Sequence, residues 1–145
     1  MNYFLIILLI FLDQCSKWII QSRFLLHESI PIVKNIFHIT YVQNAGAAFG
    51  ILKNQKIFFI IATVFIMASI FIYIYKQTKL HKILSVSLSL VIAGAIGNLI
   101  DRIRFGYVID FFDFRIWPVF NIADMCIVFG AIGLCYYMVF LENRS

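Results

Sequence analysis

Four stretches of the chain are long and apolar enough to cross a membrane, and this feature constrains the fold more than any other. They cover approximately residues 3–20, 57–75, 83–100 and 125–141. A hydrocarbon core about 30 Å thick is crossed by roughly 17–25 helical residues. Because backbone amides in lipid must find partners within the protein, these stretches predict transmembrane helices. Their uniform apolar character differs from the alternating pattern of barrel strands.

The composition agrees with a membrane protein and excludes other classes. Of the 145 residues, 63% are hydrophobic and 13% are charged, whereas a soluble domain is roughly 45–50% apolar and about 25% charged. A soluble globular domain, a disordered tail and a collagen-like fibre are therefore excluded. The length predicts one integral membrane domain over residues 1–145. The formal net charge of +5 comes without a dense basic run, which favours contact with membrane lipids over nucleic acid.

The connections between the four stretches differ in length. Residues 76–82 predict a tight hairpin, whereas the connections over about 21–56 and 101–124 are long and lie on the same side of the membrane. Residues 37–42 alternate with the period of two that indicates a strand, and residues 44–50 supply turn chemistry. We therefore predict an all-α membrane fold of four helices, with a small β-sheet and loop region at the membrane surface beside the long connections.

Five of the seven acidic residues lie at the membrane end that the two long connections share. Ionisable groups are costly in or near a bilayer and usually have a function there. The five are Asp13, Asp101, Asp110, Asp113 and Asp124. Local partners are predicted for four of them: Lys17 for Asp13 at helical spacing, Arg102 or Arg104 for Asp101, Arg115 for Asp113, and a capping box with Asn121 for Asp124. For Asp13 and Asp101, roles near the substrate or in orienting catalytic groups are the alternative.

Asp110 differs from the other four acids because apolar residues flank it on both sides. Desolvation is expected to raise its pKa, whereas a helix N-terminus favours an ionised Asp124. Two carboxylates in opposed environments suit acid/base catalysis, in which one takes a proton from water and the other polarises a scissile carbonyl. From the residues alone, a membrane aspartic hydrolase, a proton-linked carrier and a small assembly subunit remain open.

Five short motifs follow one another along the chain. They are Asp13-Gln14-Cys15-Ser16-Lys17, Asn44-Ala45-Gly46-Ala47-Ala48-Phe49, Ala93-Gly94-Ala95-Ile96-Gly97-Asn98-Leu99-Ile100-Asp101-Arg102, Val108-Ile109-Asp110-Phe111 and Phe120-Asn121-Ile122-Ala123-Asp124. In order and spacing they resemble the motifs of the lipoprotein signal peptidase family, also called signal peptidase II. Ala93 is a mild departure, because the family has glycine there. The resemblance covers essentially the full chain, and the five motifs together make it highly specific.

The resemblance implies a bacterial inner-membrane aspartic protease. Such an enzyme removes the signal peptide from a prolipoprotein whose cysteine carries diacylglycerol, and it cuts just before that cysteine. Both termini would be cytoplasmic, the sheet extracytoplasmic and the active site near the outer leaflet, whereas counting basic residues leaves the orientation open. The resemblance carries the catalytic roles to Asp110 and Asp124. It assigns the supporting positions to Asn44, Asn98, Asp101, Arg102 and Asn121, and it matches Asp13 and Lys17 to the first-helix motif.

The resemblance also bears on cofactors and partners. An aspartate dyad needs no cofactor, and no Cys or His cluster has metal-ligand spacing. We expect a monomer whose partners are the lipidated prolipoprotein and membrane lipids. Two readings from other classes stay open: a proton-linked small transporter that uses Asp13 and Asp101 as a relay, and a non-enzymatic scaffold that tolerates the loss of each acid singly.

Overall fold

The structure, a computed structural model, describes residues 1–46, 55–77 and 80–142. The helices are α1 (Tyr3–Arg23), α2 (Lys56–Lys76), α3 (Lys82–Phe105) and α4 (Ile122–Phe140), and the strands are β1 (Ser29–Val33), β2 (Phe37–Asn44) and β3 (Val108–Asp113). All four helices are long and apolar enough to cross a membrane. The predicted fold class, four membrane-spanning helices with a small sheet, is therefore confirmed.

Three helix boundaries differ from those expected. The first helix continues to Arg23 rather than ending near residue 20, the third continues to Phe105 rather than 100, and the fourth begins at Ile122 rather than 125. The expected ends were placed where polar residues begin, but helices continue through polar residues whose side chains find partners. The third helix ends where Gly106 adopts a φ of 86°, a left-handed conformation typical of glycine after a helix. The long connections are correspondingly shorter than expected.

The third helix lies at the centre of the bundle and packs against each of the other three. Its small residues permit this approach. A Cβ atom on Gly94 would collide with the carbonyl oxygen of Ala123 on α4, and one on Gly97 would lie 2.6 Å from Oδ2 of Asp13 on α1. Close approach through small residues is the usual packing device of membrane helices. It brings together Asp13 in the middle of α1, Asp101 near the end of α3 and Asp124 at the start of α4.

The two long connections combine into one antiparallel sheet in the order β1-β2-β3. The strand predicted over residues 37–42 is the central strand β2. Tyr41, Ile109 and Phe111 lie on the face that packs against Ile20 of the first helix, and these four form a buried cluster. The sheet is thereby fixed to the end of the bundle where α1 and α3 finish and α4 begins. We call this end of the molecule the sheet end.

Two predicted features fall partly outside the described residues. The turn expected over residues 44–50 is described only as far as Gly46, whose N–H donates a 3.0 Å hydrogen bond to Oδ1 of Asn44. Residues 47–50 of that turn lie outside the described part of the chain, as do residues 78–79 of the predicted hairpin.

Candidate active site

Asp110 lies on β3, and two amide side chains hold its carboxylate. Oδ1 accepts a 2.6 Å hydrogen bond from Nδ2 of Asn121, and Oδ2 accepts a 2.9 Å bond from Nδ2 of Asn44. The side chain is buried. Burial and the neighbouring Asp124 carboxylate raise the pKa of Asp110 to about 7, against the opposing effect of the two amide donors. Asp110 can therefore hold a proton near neutral pH.

Asp124 occupies the first turn of α4, and the predicted capping box is confirmed. Oδ1 of Asn121 accepts a 2.8 Å hydrogen bond from the Asp124 N–H, and Oδ2 of Asp124 accepts a 3.3 Å bond from the Asn121 N–H. Oδ1 of Asp124 accepts a 2.7 Å bond from Nδ2 of Asn98. Since N–H groups donate to both oxygens, these contacts suit a carboxylate that acts as an acceptor.

The side-chain amides of Asn98 and Asn121 link the carboxylates of Asp110 and Asp124 through a chain of hydrogen bonds. Nδ2 of Asn121 lies 3.2 Å from Oδ1 of Asn98 in addition to its contact with Asp110. Nδ2 of Asn98 then donates to Asp124. Because every donor in this chain points at an oxygen, neither amide can rotate by 180° without losing hydrogen bonds. The side chains of Asp110 and Asp124 are therefore held in fixed positions relative to each other.

Behind the amides lies a buried group of charges formed by Asp13, Lys17 and Asp101. The predicted ion pair between Asp13 and Lys17 is confirmed, with Nζ of Lys17 2.9 Å from Oδ2 of Asp13. The same Nζ lies 2.9 Å from Oδ2 of Asp101 and 3.1 Å from Oδ1 of Asn98. All three charged side chains are buried. We call these three residues the buried triad.

The carboxylates of the triad also hold the main chain next to each aspartate of the candidate site. Oδ1 of Asp13 accepts a 2.9 Å hydrogen bond from the N–H of Ala123, the residue before Asp124. Oδ2 of Asp101 accepts a 3.2 Å bond from the N–H of Ile109, the residue before Asp110. One ammonium group thus links the backbone positions of both aspartates, although the two lie on different elements.

The partner of Asp101 differs from the prediction. We expected Arg102 or Arg104, but the ion pair forms with Lys17 of α1. Because α3 continues past Asp101, neighbouring residues point to different sides of the helix. The guanidinium of Arg102 lies 4.7 Å from the ring centre of Phe59 on α2, and that of Arg104 lies over the aromatic ring of the next residue.

Both aspartates line a cavity of about 420 Å³ at the sheet end. Apolar side chains of α2, α3 and α4 form most of its lining, together with residues of the connection between β3 and α4. Among the predicted site residues, those at the cavity are Asn44, Asn98, Arg102, Asp110 and Asp124. Asn121 and the buried triad lie behind them. Within the described ranges, no group of three or more His, Cys, Asp or Glu could hold a metal ion.

Sequence reasoning did not single out Gln14. Its Nε2 lies 3.2 Å from Oδ2 of Asp13, 3.0 Å from Oδ1 of Asp101 and 3.2 Å from the carbonyl oxygen of Gly97. It therefore joins the triad to the backbone of α3. A further polar side chain between Asp13 and Lys17 inside a membrane span is itself unusual, and this signal could have identified Gln14. The cavity residues Phe59 and Thr63 of α2 were also not foreseen, because contacts between distant helices leave no local pattern.

Comparison with known proteins supplies the family. A family model described as Signal peptidase (SPase) II matches residues 5–140. A Lipoprotein signal peptidase of Halothermothrix orenii is 51% identical over 95% of this chain and 94% of the relative. Another, of Clostridioides difficile strain 630, is 49% identical over 97% and 96% of the two chains.

A solved structure described as a bacterial membrane enzyme has the same fold. It superposes with a TM-score of 0.90 at 32% sequence identity, over 98% of this chain and 90% of that chain. The family match, the close relatives and the four apolar helices agree. The chain therefore belongs to the lipoprotein signal peptidase (signal peptidase II) family of bacterial membrane proteases, which remove signal peptides from prolipoproteins.

Proposed function

We propose that this chain is an aspartic endopeptidase in which Asp110 and Asp124 activate a water molecule, and that it cuts prolipoproteins on the N-terminal side of a diacylglyceryl-modified cysteine. The observation that carries the proposal is the placement of two carboxylates in opposed environments at one largely apolar cavity. Asp110 is buried and can hold a proton, whereas Asp124 is half-buried at a helix N-terminus.

The proposed reaction divides the acid and base roles between the two aspartates. Ionised Asp124 takes a proton from water, and the oxygen of that water attacks the scissile carbonyl. Protonated Asp110 donates a hydrogen bond to the carbonyl oxygen as negative charge develops there. As the C–N bond breaks and the carbonyl re-forms, Asp110 gives its proton to the leaving amine, and the proton that Asp124 took from water then passes to Asp110 and restores the dyad. Two carboxylates in unlike surroundings, one buried and one at a helix N-terminus, are suited to this division. A dyad of this kind performs the reaction with no metal or cofactor.

The surrounding contacts support Asp110, rather than Asp101, as the second member of the dyad. The carboxylate of Asp101 is occupied by the Lys17 ammonium, the Gln14 amide and the Ile109 N–H. It does not line the cavity among the described residues, whereas Asp110 does. The same occupation argues against a proton relay through Asp13 and Asp101, because an ammonium group lies between the two carboxylates.

The other predicted residues have supporting roles in this proposal. Asn44, Asn98 and Asn121 hold the two carboxylates, and Arg102 places a cation at the cavity. Asp13, Lys17 and Asp101 position the backbone that carries the dyad. We further propose a monomeric, single-domain protein of the inner membrane with cytoplasmic termini. The sheet end then lies near the outer leaflet, where lipid-embedded substrate and water meet.

A gel-shift cleavage assay in detergent tests the proposal. The substrate is a diacylglyceryl-modified prolipoprotein, and the enzymes are wild type, Asp110→Asn, Asp124→Asn and Asp101→Asn, each checked for thermal unfolding. We expect the Asp110 and Asp124 variants to fold and to lose at least about 1,000-fold in kcat. The unlipidated precursor serves as the substrate control and should remain uncut. Activity in folded Asp110→Asn together with its loss in folded Asp101→Asn would overturn the assignment.

A further inference from the structure

Residues 115–120, which we call the wall segment, form one side of the cavity. Four consecutive residues of the segment line it, from Trp117 to Phe120, on the connection that joins β3 to α4. The segment therefore runs between the two aspartates in sequence and faces the same space as their carboxylates. Its position must be fixed from outside the cavity, since a substrate has to enter on the inner side.

The C-terminal end of the wall segment, at Phe120, is fixed by the backbone of β3. The carbonyl oxygen of Phe120 accepts hydrogen bonds from the N–H groups of Phe111 and Phe112, at 3.0 and 2.8 Å, and the Phe120 N–H donates to Phe112 at 3.1 Å. The ring of Phe114 also stacks on that of Phe120, with the centres 5.9 Å apart. These contacts continue the sheet and need no particular side-chain chemistry beyond the aromatic rings.

The position of the N-terminal end of the wall segment, at Arg115, depends on the buried carboxylate of Asp113. Oδ1 accepts a 2.8 Å hydrogen bond from the Arg115 N–H, and Oδ2 lies 3.0 Å from the Arg115 guanidinium, as the sequence predicted for this pair. Oδ2 also accepts a 2.8 Å bond from Oγ1 of Thr40 on β2. Arg115 has a φ of 66°, an uncommon conformation for a residue other than glycine. The carboxylate thus holds the turn at which the chain leaves the sheet.

The donors behind Asp113 can be ordered by counting protons. The hydroxyl proton of Thr40 is used on Asp113, so Ser29, 2.8 Å from Thr40, must donate to it. The Ser29 proton is then used as well, so Nδ1 of His38, 3.2 Å away, must be the donor to Ser29. A directed chain therefore runs across all three strands and ends on Asp113. Because each donor in this chain has one acceptor, the hydrogen bonds hold the Asp113 carboxylate in one orientation.

We propose that Asp113 is a positioning residue for substrate binding: it acts through the wall segment by holding Trp117 and its neighbours at the cavity. Asp113 does not line the cavity among the described residues, so it is not a catalytic residue. The inference rests on the proposed function only in taking the cavity as the substrate site. It predicts that loss of the Asp113 carboxylate weakens substrate binding more than it slows the chemical step.

A fluorescence measurement tests the placement of the wall segment without any substrate. The chain has two tryptophans, and Trp18 lies exposed on α1, so Trp18→Phe leaves Trp117 as the reporter. Trp117 is 61% exposed in place, so its fluorescence responds to movement in either direction. In this background we expect Asp113→Asn to change the quenching of Trp117 by acrylamide, measured as a change in the Stern–Volmer constant. Glu28→Gln, which removes an exposed carboxylate at the sheet end, should leave the constant unchanged. Equal quenching in the Asp113 variant and its parent would overturn the inference.

A kinetic measurement tests the consequence for binding. With the lipidated prolipoprotein, Asp113→Asn is expected to raise KM about three- to tenfold while kcat changes less than about twofold. Thr40→Val should give a smaller rise in KM, because Asp113 keeps its contacts with Arg115. A merely structural role would instead lower the folded fraction and leave KM unchanged, and that result would overturn the proposal.

Two further comparisons keep the outcome unambiguous. If Asp113→Asn does not fold, Thr40→Val and Arg115→Gln decide the question, with Lys34→Gln as the control for loss of an exposed cation at the sheet end. An unchanged KM in both variants would then overturn the inference. Failure of the wild-type enzyme to cut the substrate would instead overturn the proposed function, and the Trp117 measurement would still report on the wall segment.

Discussion

Nδ2 of Asn121 lies 2.6 Å from Oδ1 of Asp110, while Oδ1 of the same asparagine caps the helix that carries Asp124. One side chain therefore performs two tasks that are usually separate. Its acceptor oxygen satisfies a free N–H of the first helical turn, and its donor nitrogen fixes the carboxylate on the neighbouring strand. Asparagine is suited to the position because it offers both groups, whereas serine and aspartate cap helices without a comparable pair of amide donors.

The two tasks of Asn121 can be separated by substitution. We expect Asn121→Ser to keep the cap and Asn121→Ala to lose it. The unfolding temperature of Asn121→Ser should therefore fall less than that of Asn121→Ala, whose free energy of unfolding drops by about 1 kcal/mol more because the cap is missing. Both variants lose the contact with Asp110 and should lower kcat/KM to a similar extent. Thermal unfolding and cleavage rates measured on the two proteins would test this. If Asn121→Ser retained wild-type kcat/KM, the contact with Asp110 would have no catalytic role.

The pH profile of kcat/KM is expected to show an alkaline limb near pH 7. The limb arises because Asp110 must carry a proton, and burial together with the Asp124 carboxylate raises its pKa to about 7. Activity is therefore present below this value and is lost as the pH rises through it.

Asn44→Ala provides a signed test of this interpretation. The Asn44 amide favours the ionised form of Asp110 and so lowers its pKa. Its removal should move the alkaline limb to higher pH, even if the maximal rate falls. A shift to lower pH would contradict the assignment of the proton to Asp110. The control for a general change in charge is Lys34→Gln, because Lys34 is an exposed cation at the sheet end.

The features that could be predicted from the sequence are those with a local pattern. The Asp13–Lys17 pair follows from helical spacing, the capping box from residue types three apart, and β2 from alternation. The other strands lack this signal, since every residue of β1 is exposed and nearly every residue of β3 is buried. Neither strand shows the alternation of a half-buried sheet.

Contacts between distant elements could not be predicted in this way. Lys17 and Asp101 are 84 positions apart in the sequence, and no periodicity connects them. The adjacent arginines were the better local candidates, but the packing of α1 against α3 decided the pairing. The motif resemblance brought these residues into one site without indicating which atoms meet. Gln14 was overlooked for the same reason, because its three partners lie on two helices.

Removal of the ammonium from the buried triad should be strongly destabilising. Lys17→Met leaves the carboxylates of Asp13 and Asp101 buried without their common cation, and breaking a buried ion pair in this way costs about 3–5 kcal/mol. The triple variant Asp13→Asn, Lys17→Met and Asp101→Asn removes the unpaired charges and should recover part of this loss. Thermal unfolding in detergent measures both, with Lys34→Met as the exposed control. Equal stability of Lys17→Met and wild type would contradict the role given to the triad.

A methyl group added at Gly97 should disturb the site without changing any polar residue. A Cβ atom there would lie 2.6 Å from Oδ2 of Asp13 and 3.1 Å from Cβ of Ala123. The carboxylate cannot move aside freely, because Oδ2 is the atom paired with Lys17. Overpacking of this kind costs about 1–3 kcal/mol, and the displaced Asp13 would release the Ala123 N–H beside Asp124. We therefore expect Gly97→Ala to lower both the unfolding temperature and kcat, as measured by thermal unfolding and by cleavage.

The control is Ala131→Val, which enlarges an exposed position of α4 and should lower neither quantity. Full activity in Gly97→Ala would show that the dyad tolerates displacement of the triad.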